Sequence, residues 1–316
     1  CRGTSSSGAL ADVRLRVVTG PTGAGKSALV LALARRVPLG IVSADSRQIY
    51  RGFDIGTAKP TAAQRACVPH AGLDIAEPDT RYSAAAWAAA AEGWMDDLRR
   101  SGREPVIVGG TGFYIRALTT PLFVEPQLDP RRRRAIALHL RSLTLAQLQQ
   151  WCHALDPERA GLGRAQLERA IEVALLTGVP LSRWHRVAPG AEPRRARYLV
   201  VDPGPDLGQR LAARLDDMLD AGWIDEARAL DARIPATAPA WNATGYATVR
   251  SLSRGEISRS EAREQILIAT RQYAKRQRTW MRNQLSQADV TRIDPREPGA
   301  LDRALEWWNE TREGTG

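Results

Sequence analysis

Eight residues constrain this chain more than any other stretch: Gly20, Pro21, Thr22, Gly23, Ala24, Gly25, Lys26 and Ser27. They fit G-x-x-x-x-G-K-[ST], follow the apolar run Leu15–Thr19 and precede residues 28–36, whose composition favours helix. Strand, glycine-rich loop and helix together turn such a match into a phosphate-binding loop. Glycines let the backbone curl so that successive N–H groups point inward, and the helix N-terminus adds partial positive charge. Lys26 can neutralise phosphate oxygens, and the Ser27 hydroxyl can ligate Mg²⁺. The loop binds a di- or triphosphate; by itself it does not say which.

With 316 residues the chain can bury a large core, and about two domains are expected. Cys1, Cys67 and Cys152 are far apart, and His70, His139, His153 and His185 are scattered, so no metal pattern emerges. This usage reads as a reduced, cytoplasmic protein without structural zinc or disulfides. No apolar run approaches the roughly 20 residues of a membrane helix. Residues 1–12 are Ser/Gly-rich and read as a flexible tail. The formal net charge of +10 is unevenly placed, with +6 over residues 121–200 and +5 over 258–282. Such crowding points to a polyanionic partner larger than a nucleotide. Of the 45 basic residues only Lys26, Lys59 and Lys275 are lysine, which marks them as positions where a compact ammonium matters.

Along the chain, residues 40–44 read as a second buried strand ending at Asp45-Ser46-Arg47-Gln48. Ligands gather at strand carboxyl ends, so Asp45 lies beside the glycine loop if the two strands are neighbours. Residues 61–80 read as loop, and 82–100 as a helix capped by Ser83 and stopped by Gly102. A third strand runs from Glu104 into Gly109-Gly110-Thr111-Gly112. P-loop ATPases commonly end such a strand in an acid that holds Mg²⁺. Here the tip is glycine and threonine, which suggests close approach of a second ligand with Thr111 as hydrogen-bond donor. Residues 120–196 carry helical patterns over 130–143, 145–155 and 164–176, and read as an all-helical insertion rich in arginine. The core, expected over 13–119 and 197–310, resumes with a strand at 198–201. Its last long helix, about 258–285, places Ile266, Tyr273 and Trp280 on the core side. Arg271, Lys275, Arg278 and Arg282 form a basic stripe on it without interleaved acids. Trp307 and Trp308 are expected to pack locally. The fold class is α/β: a P-loop NTPase-like parallel sheet flanked by helices, with a helical insertion.

These residues taken in order resemble the tRNA dimethylallyltransferase (isopentenyltransferase) family, bacterial type, over roughly 15–285. The matching stretches are the glycine loop, 43–50 with 54–60, 108–114, 169–173 with Thr177-Gly178, and 270–277 with Trp280. The resemblance implies that the loop holds the pyrophosphate of dimethylallyl diphosphate, with Mg²⁺ on Ser27. It also implies that the acceptor is N6 of an adenosine beside the anticodon of tRNA, in a monomeric, cytoplasmic enzyme. Asp45 would orient that amine and take its proton, and Ser46, Arg47, Gln48 and Thr111 would receive the base. Arg214 matches R-x-x-x-M-x-x-x-G through Met218 and Gly222, which carries over a pyrophosphate contact. Arg133 and Arg169 match positions that contact tRNA in relatives. Leu162, Gly163 and Gln166 depart from the Asn-Asp-x-x-Arg usual there, so one anticipated arginine is missing; Ala247-Thr248 replaces the usual glutamate after Gly-Tyr. On the residues alone, three rivals stay open: an ATP-dependent kinase, an RNA-binding P-loop switch, and a transferase that prenylates free adenylate.

Overall fold

A strand buried along its whole length must lie inside a sheet, and β1 (Leu15–Thr19) is such a strand. The computed structural model describes residues 14–120, 128–187 and 193–313; the tail expected over 1–12 lies outside them. From β1 the chain passes through the glycine loop into α1 (Lys26–Leu33), then β2 (Leu39–Ser43), α2 (Ala62–Cys67) and β3 (His70–Ala71). Next come α3 (Ala84–Arg100), β4 (Glu104–Gly109) and α4 (Gly112–Thr119). A helical segment holds α5 (Pro130–Ser142), α6 (Leu145–Leu155), α7 (Arg164–Thr177) and α8 (Leu181–Val187). The chain returns through β5 (Ala196–Val201), α9 (Leu207–Asp220), α10 (Trp223–Asp231) and α11 (Tyr246–Ser253). It closes with α12 (Arg259–Gln284), β6 (Val290–Ile293) and α13 (Ala300–Glu313).

Among the described residues the six strands form one parallel sheet in the order β3-β2-β4-β1-β5-β6. β4 therefore separates β1 from β2, and the neighbourhood assumed for Asp45 does not hold. The register still aligns the three strand ends, with Thr19 opposite Gly109 and Ser43 opposite Val108. The loops after β1, β2 and β4 thus leave the sheet at one edge, where open α/β sheets bind ligands.

The chain divides into two compact units, one of residues up to Thr119 and from Arg194, the other of Thr120–Pro193. In the first, α1, β1, β4 and β5 share a core with Trp307 and Trp308. These tryptophans were expected to pack locally but are fully buried in the main core, and Arg16 lies 4.5 Å over the Trp308 ring. The second has its own core of Leu140, Leu148, Leu167, Ile171 and Leu181, with Cys152 buried among them. Residues 61–80 are not wholly loop. Thr61 caps α2 by accepting from the Gln64 N–H, and β3 joins the sheet edge through two residues, too few to leave a periodic signal.

Local chemistry explains the elements that carry the site. Ser83 caps α3, which buries Trp87, Ala91, Met95 and Leu98 along one face. The Trp87 indole N–H donates to the Ser43 carbonyl at 3.1 Å and fixes the end of β2. Ser258 and Glu261 form a reciprocal capping box at the start of α12. At the end of β4 the chain packs so tightly that a Cβ on Gly109 would sit 2.1 Å from the Ala44 carbonyl oxygen. Gly109→Ala is expected to destabilise the protein by about 1–3 kcal/mol, since both contacting groups are backbone. A thermal midpoint equal to wild type would contradict this packing argument.

Candidate active site

The glycine loop is built as its sequence requires. Gly25 lies at φ 100°, a conformation other residues avoid, and lets α1 start with no side chain capping its first turn. Those N–H groups remain for an anion. The loop is held to α12 by Gln277, whose Oε1 accepts from the Thr22 N–H at 2.8 Å and whose Nε2 donates to the Gly110 carbonyl at 2.9 Å. Gln277 is almost fully buried. Sequence reasoning missed it, although an amide on the buried side of α12, between Ala274 and Met281, was a readable sign.

Asp45 follows a backbone laced to β4 on both sides: Ala44 N–H donates to Val108 and accepts at its carbonyl from Thr111 N–H, at 2.8 and 3.1 Å. Its own Oδ1 accepts from the Arg47 N–H at 2.9 Å. Thr111 Oγ1 accepts from the Ser46 N–H at 3.0 Å, so this hydroxyl, expected as a donor to a ligand, also holds the Asp45 loop as an acceptor. Ala44, Gly20 and Gln277 crowd Gly109 and Gly110 where a Cβ would stand, while both glycines also line the site cavity.

Arg214 comes from α9, which buries Leu207, Leu211, Leu215 and Leu219 at helical spacing. A two-pronged pair from Arg263 to Asp216, at 2.6 and 2.8 Å, ties α9 to α12. Arg210, one turn before Arg214, donates from Nε to the Gly23 carbonyl at 3.1 Å. Sequence reasoning passed over it.

These elements enclose a cavity of about 630 Å³ lined by Thr22, Lys26, Ser27, Asp45 and Arg214, with Tyr273 on its wall. Arg47, Gln48, Gly23 and Gly25 line it too. Gly20, Pro21 and Ala24 shape the loop from behind; Pro21 and Ala24 are buried. Lys26 Nζ donates to the Gly20 and Pro21 carbonyls at 3.0 and 2.8 Å. Burial, then repulsion from Arg214, lowers its pKa to about 8 against the opposing pull of Asp45. Arg214 is lowered by burial, and Asp45 again opposes. Burial and the Asp45 charge push Tyr273 up to about 12. Two cations and one carboxylate therefore feel one another at the mouth of the loop.

The basic residues expected to meet RNA divide. Arg271, Lys275 and Arg282 are exposed on α12. Arg278 is committed internally, to Asp202 through Nε at 2.8 Å and to the Gly204 carbonyl at 2.6 Å. Its cation is largely neutralised within the protein, which corrects the picture of a continuous free stripe. In the helical unit Arg133 Nε and Arg169 both pair with Glu172, the former at 2.6 Å. Two guanidiniums on one buried carboxylate leave that cluster net positive. Lys59 is buried, and its ammonium donates to the Tyr50 carbonyl, Asp54 and Asp74 at 2.5, 2.7 and 2.5 Å. Its compact charge serves the loop, not a ligand.

A protein-family model described as IPP transferase matches residues 48–284, three quarters of the chain. The chain belongs to the IPP transferase family. The matched span takes in Gln48, the Gly109–Gly112 turn and Arg214, and begins just after the glycine loop and Asp45–Arg47. The tRNA dimethylallyltransferase of Anaeromyxobacter sp. (strain K) is 39% identical over 298 residues, 93% of this chain and 97% of that one. That of Geobacter metallireducens is 42% identical over 301 residues, 92% and 95% of the two chains. Among solved structures, the full-length tRNA isopentenylpyrophosphate transferase of Bacillus halodurans aligns with TM-score 0.68 at 29% identity, over 96% of this chain and 98% of that one. A eukaryotic dimethylallyltransferase acting on tRNA shares the fold with TM-score 0.82 at 23% identity, over 96% and 81%. Among the described residues no helix is long and apolar enough to cross a membrane.

Proposed function

We propose that this IPP transferase family member moves the dimethylallyl group of dimethylallyl diphosphate to N6 of the adenosine 3′-adjacent to the anticodon in tRNA. It releases diphosphate and works as a cytoplasmic monomer. The observation that carries this reading is the meeting of Lys26 and Arg214 with Asp45 at the mouth of a phosphate loop.

Two barriers have to fall. The departing diphosphate gathers negative charge as the C1–O bond breaks; the loop N–H groups, Lys26 and Arg214 stabilise that charge in a partly desolvated cavity. The adenine amine is a weak nucleophile. With Oδ1 of Asp45 held by Arg47, Oδ2 accepts from the amine and takes its proton as the C1–N6 bond forms. A hydroxyl oxygen at the end of a phosphate loop suits an Mg²⁺ ion that diphosphate would bring with it. Ser27, exposed in the cavity, would then complete the Mg²⁺ shell, and the ion would supply further charge stabilisation at the leaving group.

The base must leave its stack to reach the cavity, and the 46–48 loop pinned by Thr111 is the surface that receives it. Arg271, Lys275 and Arg282 meet RNA phosphates directly. Arg278 supports them by holding Asp202, and the Arg133–Glu172–Arg169 cluster adds positive charge in the helical unit. Incubation with labelled dimethylallyl diphosphate and tRNA, without ATP, is expected to move label into tRNA. Phosphate transfer from ATP, or label entering AMP in preference to tRNA, would overturn the reading.

The RNA surface has its own test. Arg271→Gln combined with Arg282→Gln is expected to weaken tRNA binding at all sequences and reduce the slope of log K against log salt by roughly two. An unchanged slope would remove these residues from the interface.

A further inference from the structure

The cavity has a second kind of wall. Gly56, Ala58, Met218, Trp223 and Ile266 line part of it, and the loop through residues 54–58 turns most of its backbone polar groups to partners within the protein. Asp54 and Ile55 donate their N–H groups to Glu226 Oε2 at 3.0 and 2.8 Å. Gly56 donates to the Tyr246 hydroxyl at 3.1 Å, and that hydroxyl donates to Glu226 Oε1 at 2.5 Å. Gln48 Nε2 donates to the Thr57 and Ala58 carbonyls, both at 3.1 Å. These bonds hold the loop from within the protein, and Gly56 and Ala58 join Met218, Trp223 and Ile266 to give this part of the cavity its apolar wall.

Trp223 backs that surface and cannot yield easily. It is 1% exposed, stands edge-on to Tyr246 with centroids 5.3 Å apart, and lies so close to Gly56 that a Cβ there would come 2.2 Å from the indole nitrogen. Its Nε1 has no hydrogen-bond partner, so the ring is held by packing alone. A large, fully buried ring in a close-packed setting resists displacement, because moving it forfeits contacts on every side.

We propose that Trp223 is the chain-length stop of the donor site: it closes the apolar end so that a five-carbon allylic diphosphate fits and a ten-carbon one does not. The inference rests on the prenyl-transfer reading and adds to it the residue that sets donor size. The chemistry is the same for either donor: C1–O breaks, C1–N6 forms, diphosphate leaves, and Asp45 takes the proton. Discrimination therefore comes from fit.

The test compares dimethylallyl and geranyl diphosphates as donors to tRNA, for wild type, Trp223→Ala and Trp223→Leu, with thermal midpoints recorded. Wild type is expected to favour the five-carbon donor by at least about a hundredfold in kcat/KM. In Trp223→Ala that ratio is expected to fall at least tenfold, through gained ten-carbon transfer as well as reduced five-carbon transfer, with Trp223→Leu intermediate. Folded variants that keep the wild-type ratio overturn the stop and leave the transferase reading intact. Wild-type protein that binds geranyl diphosphate as tightly as the shorter donor overturns it without any variant. Wild-type protein that transfers neither group to tRNA fails the transferase reading itself.

Discussion

Asp45→Asn is expected to lower single-turnover prenyl transfer by about 10²–10⁴-fold while tRNA still binds. The amide can keep the 2.9 Å bond from the Arg47 N–H, so the loop held by Thr111 and Ser46 stays in place. What it cannot do is accept the proton that the adenine amine must lose. A second consequence follows from charge. Asp45 opposes the lowering of both Lys26 and Arg214, so removing it leaves two buried cations facing each other without their counter-charge. The Lys26 ammonium then loses its proton more readily than at its present value of about 8, and donor binding in the variant falls off at lower pH than in wild type. Wild-type single-turnover rates, or lost tRNA binding with normal chemistry, would remove Asp45 from its role.

The parts of this site written in local sequence were the ones that could be read from it. The loop from Gly20 to Ser27 is contiguous, and its flanking strand and helix follow from composition; Ser83 and Ser258 announce their helices through caps. Asp45 does lie just past a strand end, as its sequence indicates. The placement beside the loop was conditional on β1 and β2 being neighbours, whereas β4 lies between them, and strand order is a tertiary fact that no local pattern encodes. The Gly109–Gly110 turn shows the same limit. Two glycines signal close approach, but sequence does not say that Ala44, Gly20 and Gln277 crowd them where a Cβ would stand while the cavity opens beside them. Arg278 fits the basic stripe by spacing, while its partner Asp202 lies 76 residues away. Residues that act through such distant partners, Gln277 on Thr22 and Glu226 on residues 54–55, stay invisible until the chain is folded.

Lys26→Met should cost about 10²–10³-fold in kcat/KM for the donor, the usual loss when one cationic or N–H contact to a developing anion is removed from a preorganised site. The wild-type protein has its own pH signature at this residue. Burial is the main cause that brings Lys26 down from 10.5 to about 8, with Arg214 adding to it. Below about pH 8 the free protein carries the ammonium and binds diphosphate at full strength; as pH rises through that value, binding must first restore the proton, and affinity declines by up to tenfold per pH unit. Lys26→Met should show no such decline. The folding linkage has the opposite slope. A lysine depressed in the folded state disfavours folding most where it is charged in both states, below about pH 8, and that penalty lifts as pH climbs toward 10.5. The wild-type thermal midpoint should therefore gain on that of Lys26→Met across this window, whatever the offset left by the lost bonds to Gly20 and Pro21. Parallel midpoint curves together with a donor affinity flat from pH 7 to 9 would show that Lys26 is neither depressed nor in contact with the diphosphate. The loop would then have to hold its anion by backbone N–H groups and Arg214 alone.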